Sequence, residues 1–252
     1  MKIIKYKKVG TNKYKIYFEN DEIILYEDVI LKHNLLLKKE IDNELLIEIN
    51  EDNYRASIYD VSLKYISIRM RAKKEIEEYL NKKKYDYNDI KECIEKLENN
   101  GYLNDSYFCK CYVNDKINFT NNGIDKIKND LIKLNIDEEV INECISNVDK
   151  NILNEKLNKI INKELRINSK LPIGKLKLKI INRCINLGYN LHDINEILDN
   201  KEIKTNSDIM NDYNKLYKKY LNKYDEYKLK NVIKSKLYQK GYDIEEINKI
   251  CF

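Results

Sequence analysis

The stretch Ile76-Glu-Glu-Tyr-Leu80-Asn-Lys-Lys-Lys-Tyr85-Asp-Tyr-Asn-Asp-Ile90-Lys-Glu-Cys93-Ile94 decides the fold. Ile76 and Leu80, then Ile90, Cys93 and Ile94, keep helical spacing, and Tyr85 marks a break between two short helices. The register returns three more times without a gap. Ile127, Leu131, Ile136, Ile141, Cys144 and Ile145 repeat it, as do Ile180, Cys184, Tyr189, Ile194, Ile197 and Leu198. Ile233, Leu237, Tyr242, Ile247, Ile250 and Cys251 close the series. Self-similarity at a fixed period predicts stacked units, none of which buries its apolar face alone.

Working outward, each unit gains a helix ahead of this pair. Apolar periodicity predicts Arg55–Ser67, Lys74–Lys83 and Asn88–Asn99 in the first, and Ser106–Asp115, Ile124–Leu134 and Glu138–Val148 in the second. The third is Ile152–Leu165, Lys175–Leu187 and His192–Asp199; the fourth is Asp212–Tyr224, Tyr227–Gln239 and Ile244–Cys251. Gly188 and Gly241 sit where a left-handed residue ends a helix, with Lys84 and Asn135 at the equivalent places. Asp86, Asp137, Asn190 and Asp243 follow as N-caps of the next helix.

The N-terminal residues read differently. Tyr14, Ile16 and Phe18 alternate with their neighbours as in a half-buried strand, and Ile23–Tyr26 returns as its hairpin partner. A short helix is expected over Asp28–Leu37 and another strand over Leu45–Ile49. The expected fold is mainly α: tandem three-helix repeats in an elongated curved array behind a small β-rich segment. The expected boundaries are 1–52 for that cap, then 53–104, 105–150, 151–204 and 205–252.

The 252 residues are 42% hydrophobic and 35% charged, which gives helices with an apolar stripe and a wide solvated face. One proline and six glycines fit short helix connections better than sheet. Net charge is only +5, and abundant Lys, Asn, Ile and Tyr resemble the drift of an AT-rich genome, so lysine number alone is no nucleic-acid signal. The distribution says more. Lys64–Lys84 holds eight basic and three acidic residues, Lys156–Arg183 nine and one, Tyr213–Lys240 nine and two. Such stripes attract phosphate or an acidic protein face, although a solvated helix surface accounts for most single lysines.

Cys93, Cys109, Cys111, Cys144, Cys184 and Cys251 include no Cys-x-x-Cys pair, and His33 and His192 stand in unrelated contexts, so no metal set is expected. Cysteines on apolar stripes behave as small hydrophobes, which points to a reducing compartment. With no long apolar run, the expectation is a cytoplasmic protein without membrane contact. Phosphate-loop, nucleophile-elbow and His-Glu-x-x-His patterns are missing, so neither catalysis nor a cofactor is expected.

The segment Ser67-Ile-Arg69-Met-Arg71-Ala72-Lys-Lys-Glu75-Ile76, with Gly101-Tyr-Leu-Asn-Asp105 beyond it, resembles the RecX family. That family carries Arg-Pro-Arg-Ser or Arg-Met-Arg-Ser before a Glu-Leu or Glu-Ile helix, then Gly-Tyr-Leu-Asp-Asp or a close variant. Here Ala72 replaces the Ser, and Gly123 matches a glycine before the second repeat's middle helix. The likeness is strongest over 56–148 and thin over 150–212. It implies a non-enzymatic regulator that binds filaments of a RecA-type recombinase on DNA. Such a protein modulates, mostly inhibits, ATP hydrolysis and strand exchange in DNA repair by homologous recombination.

Arg69 and Arg71 are the first candidates for contact with partner or DNA, because a planar fork suits carboxylate or phosphate. The competing reading is that one braces the first repeat through Glu75. Lys73, Lys74, Lys82 and Lys83 follow, with Arg166 and Arg183 extending the surface. Tyr102, Phe108 and Tyr112 offer stacking faces or, more simply, core packing. The expected partners are the recombinase filament and single- or double-stranded DNA, bound in a salt-sensitive way by a monomer. The alternatives are a helical-repeat protein binding DNA without a recombinase, and a scaffold joining two proteins.

Overall fold

The computed structural model describes residues 1–250. Cys251, the last expected anchor and helix end, lies outside the described residues. The chain divides into Met1–Lys110 with Leu134–Ile136, and Cys111–Lys133 with Asp137–Phe252.

In the first unit, strands β1 (Lys5–Lys8), β2 (Lys13–Tyr17) and β3 (Glu22–Tyr26) form an antiparallel sheet in sequence order. Ile16 faces Ile23 and Tyr14 faces Leu25 across the expected hairpin. Helix α1 (Glu27–Lys32), a 3-10 turn (Leu35–Leu37) and helix α2 (Asn43–Ile66) follow. Ile16, Leu25, Val29, Ile30 and Ile49 make one core beneath the sheet. The strand expected over Leu45–Ile49 is instead the first turns of α2. A strand would bury Ile47 with Ile49, yet Ile47 is 61% exposed while Ile49 is buried. Asp42 caps the helix by accepting from the Leu45 amide at 2.8 Å. So α2 starts at Asn43 and runs unbroken past residue 53, and the cap docks on it as a marginal small sheet must. The Asn53 carboxamide accepts from the Tyr26 amide and donates to the Ile24 carbonyl, both at 3.0 Å, pairing part of the β3 edge.

Helices α3 (Lys73–Lys82) and α4 (Tyr87–Asn99) pack on α2 around Ile58, Ile76, Leu80, Ile90 and Leu97. Helices α5 (Asp105–Phe119), α6 (Ile124–Lys133) and α7 (Glu138–Ser146) form the next triplet. Helices α8 (Lys150–Ile167), α9 (Ile173–Asn186) and α10 (Leu191–Asp199) form the third, and α11 (Ile209–Tyr220), α12 (Glu226–Gln239) and α13 (Ile244–Ile250) the fourth. Each predicted segment is thus a helix over most of its described length, with Asp212–Tyr224 ending early, at Tyr220. The third and fourth triplets each hold a core of their own, around Leu176, Ile180 and Ile194, and around Ile233, Leu237 and Ile247. Cys93, Cys144 and Cys184 are buried free thiols, as the stripes imply, and Cys109 is buried as well. Among the described residues no helix is long and apolar enough to cross a membrane.

The breaks have the expected geometry. Lys84, Asn135, Gly188 and Gly241 all take positive φ, at 65°, 57°, 86° and 94°. Amides one residue later bond back to Leu80, Cys184 and Leu237 in the first, third and fourth triplets, closing the last helical turn. Asp86, Asp137, Asn190 and Asp243 then each accept from an amide of the next helix at 2.8–3.2 Å. Lys84 carries a Cβ in a conformation that disfavours one and is exposed. Replacing it by glycine is expected to add about 1 kcal/mol of stability, read as a higher urea midpoint; an unchanged or lower midpoint would refute this.

Within the second unit one triplet seats on the next through backbone-to-backbone bonds, beside which Lys156 Nζ donates to Thr120 O at 2.9 Å. The Gly123 amide donates to Leu187 O at 2.6 Å and Asp125 to Gly188 O at 3.1 Å. One triplet further on, the Gly174 amide donates to Gly241 O at 2.9 Å. The first amides of a helix have no partner inside it, and here the C-terminal turn of another helix supplies carbonyls, positive end to negative end. The approach leaves no room for side chains. A Cβ on Gly241 would lie 2.6 Å from the Lys175 nitrogen, and one on Gly188 would collide with the Lys126 backbone.

In the fourth triplet Asp212 accepts from Lys240 Nζ at 2.8 Å and the Tyr242 hydroxyl at 3.1 Å. Burial alone would raise its carboxyl, but these two donors outweigh that and hold it below the usual value. A carboxyl depressed by folding stabilises fully above its unfolded pKa, roughly pH 4, and the contribution drains as pH falls through the folded value. Asp212→Asn is therefore expected to lose less stability than the parent between pH 6 and pH 3. Equal losses in urea titrations at the two pH values would rule Asp212 out as a linked group.

Candidate functional site

The loop from α2 to α3 places the two candidate arginines on one carboxylate. Arg69 bonds Glu75 through both terminal nitrogens and donates to Met70 O at 2.9 Å. Arg71 reaches Glu75 Oε1 at 3.5 Å. Glu75 also accepts from the Ala72 amide at 3.1 Å, serving as the returning half of a helix cap. Arg71 is mostly buried, its side chain 10% exposed, whereas Arg69 is 54% exposed.

The burial of Arg71 has an aromatic cause. Its guanidinium carbon lies 3.9 Å from the centroid of Tyr65. Tyr65 stacks on Tyr79 with centroids 3.9 Å apart and planes within 8°, and Lys83 Nζ stands 5.2 Å from the Tyr79 centroid. Two rings between two cations are held by the negative π faces, each contact worth on the order of 1 kcal/mol. This column ties the end of α2 to α3. Tyr65 and Tyr79 sit on different helices, so no sequence spacing announces them.

The other candidates separate by partner. Lys73 bonds Glu98 at 2.5 Å and approaches Asp105 at 3.7 Å; the Glu98 bond leads in raising its pKa. Asp105 is raised instead, chiefly by burial, against the pull of Lys73. Lys74 donates to Asn135 Oδ1 at 3.3 Å. Arg183 pairs at 3.0 Å with Glu164, which is 7% exposed and also bonded by Asn168. That makes Arg183 the counter-ion of a buried carboxylate. Burial, aided by Glu164, pushes the adjoining Cys184 thiol up to about 11, so it stays protonated at neutral pH. Lys82, Lys83 and Arg166 are exposed, without an ion pair among the described residues.

Of the aromatic candidates, Phe108 is core at 4% exposure. Tyr112 is half-buried and bonds Asp130 at 3.4 Å. Tyr102 keeps 51% exposure, edge-on to Tyr59. The site therefore offers an exposed Arg69 fork beside Ile68, which is 75% exposed, with Lys82 and Lys83 at the C-terminal end of α3. An incoming phosphate or carboxylate would compete with Glu75 for Arg69. No nucleophile–base pair is assembled by these residues.

Comparison with known proteins follows the same lines. A model of the first three-helix domain of RecX matches residues 59–97. The regulatory protein RecX of Bacillus cytotoxicus is 32% identical over 226 residues, covering 87% of this chain and 83% of that protein. That of Bacillus mycoides is 28% identical over 257 residues, covering 97% and 94%. A crystal structure of regulatory protein RecX aligns with TM-score 0.70 and 22% identity, over 79% of this chain and 98% of that one. RecX from Lactobacillus salivarius aligns at 0.53 and 24%, over 57% and 94%. At these identities the two crystal structures speak for a common helical-repeat fold.

Proposed function

Since the chain belongs to the RecX family of regulatory proteins, we propose that it binds RecA-type recombinase filaments on DNA and restrains their ATP hydrolysis and strand exchange. The observation that carries this reading is the recurring helix triplet, seated on its neighbour in the second unit by the same backbone junction. A modular scaffold suits a partner that is itself a repeating polymer, because contacts weak one by one act together at high effective concentration. It acts as a monomer without catalytic residues of its own. Arg69, Lys82, Lys83 and Arg166 supply contact, while Arg71, Lys73 and Arg183 hold their triplets in shape and present those neighbours.

The test adds the full chain in stoichiometric amounts to a recombinase–DNA filament at low salt. DNA-dependent ATP hydrolysis and strand exchange are both expected to slow. Unchanged rates would end the proposal. Tighter binding to naked DNA than to preformed filaments would favour a DNA-binding protein that needs no recombinase.

A further inference from the structure

The fourth triplet exposes aromatic rings that its core does not use. Tyr213, Tyr217, Tyr220 and Tyr224 recur at helical spacing along α11 and into the turn after it. They work in pairs. Tyr213 and Tyr220 pack partly into the core with Leu216 and Ile233. Tyr217 stacks on Tyr213 with centroids 5.9 Å apart and planes 22° apart; Tyr224 lies against Tyr220 at 6.0 Å and 45°. The outer rings, Tyr217 and Tyr224, keep 39% and 42% exposure. Each is thus buttressed by an anchored ring, so a flat ligand settling on it orders little further side chain.

Between Tyr213 and Tyr224 every charged residue in the sequence is a lysine. Lys215, Lys218, Lys219 and Lys223 lie between the tyrosines in sequence, all exposed and without an ion pair among the described residues. Lys219 Nζ stands 5.4 Å from the Tyr220 centroid. Of the flanking acids, Asp212 is held by Lys240 and Asp225 by Lys228 at 3.5 Å, while Glu226, the first residue of α12, stands exposed beyond the turn. This differs from the first triplet, where Glu75 and Glu98 quench three of the candidate cations.

We propose that this face of α11 and its following turn is a binding site for single-stranded nucleic acid. Unpaired bases stack on Tyr217 and Tyr224, and the lysines meet the phosphates. Base–aromatic stacking tolerates any sequence because every base has a π face, and basic residues along the backbone complete such grooves. A duplex keeps its base faces stacked on each other and offers them only at ends, so single strands are preferred. The site deepens the proposed function, resting on it for a role in the filament, but it is tested without any recombinase.

Fluorescence anisotropy of the full chain with oligo-dT and oligo-U of roughly 16 nucleotides provides the test and separates DNA from RNA as the source. Y217A/Y224A is expected to weaken binding about tenfold or more, whereas Y217F/Y224F stays within roughly twofold because the rings remain. Lys215→Gln with Lys219→Gln and Lys223→Gln is expected to flatten the salt dependence. Alanine-pair binding equal to the parent's, with circular dichroism showing a folded chain, overturns the site. Duplex bound as tightly as single strand overturns it too. Should the alanine pair fail to fold, the glutamine set decides in its place, and an unchanged salt slope then rejects the site. A parent chain that leaves recombinase rates untouched, yet binds oligomers through these rings, would sink the regulator and spare the site.

Discussion

Gly188→Ala loses on the order of 3 kcal/mol or more and loosens the second triplet from the third. Two penalties combine at this residue. Its φ of 86° is a left-handed conformation, which costs an L side chain about 1–2 kcal/mol. The added methyl then meets Lys126, whose backbone N and Cα, along with Cβ, all lie inside contact distance of the new carbon. Backbone cannot swing away like a side-chain tip, so relief requires breaking the Gly123–Leu187 and Asp125–Gly188 bonds. Lys84 is the internal control, since it holds the same left-handed place in the first triplet with a full side chain. Lys84→Ala should be nearly silent. Thermal unfolding followed with limited proteolysis measures both variants, and a Gly188→Ala cost no larger than the torsional penalty would show that the docking contact is absent.

Glu75→Ala is the second large effect, a loss of roughly 2–3 kcal/mol. The carboxylate serves two arginines and the Ala72 amide at once. Removing it leaves the mostly buried Arg71 with its two-ring stack but no counter-charge, and burying a lone cation costs more than losing an exposed pair. Glu75→Gln keeps an acceptor for the Ala72 amide and should fall between the two. Chemical denaturation reads all three chains. A loss under about half a kcal/mol, as for an exposed ion pair, would show that Arg71 is solvated and free for other duty. The same variant bears on the functional reading. Arg69, released from Glu75, should bind polyanions at least as well as before in any chain that still folds.

Much of this was legible along the chain. A helix carries its pattern in its own residues, since apolar positions three and four apart share one face. Gly188, Gly241 and Asn135 announced left-handed turns because few residues accept that torsion, and Asp86 or Asn190 announced the cap that follows. Lys84 fitted the frame despite its chemistry, and it does take the same torsion. The apolar run Leu45–Ile49 was misread because a short run satisfies strand and helix alike. Only the sheet above it shows which residues turn inward.

The candidate contact residues were less legible. Arg69 and Arg71 stood out as a pair, and Glu75 was a visible brace, but the stack of Tyr65 on Tyr79 needed two helices side by side. Arg183 read as basic surface until its buried partner Glu164, nineteen residues earlier, came against it. A charge pattern counts residues and is blind to which are already neutralised.

By itself the sequence determined the recurring helix pairs, the left-handed breaks and caps between them, and their fourfold recurrence, since each depends on torsions and side-chain spacing within a few residues. The tertiary structure alone decided that Gly123 meets Gly188 and Gly174 meets Gly241, and which cations remain unpaired. Those outcomes depend on backbone and charges brought together across some sixty residues of chain, where no local spacing rule reaches.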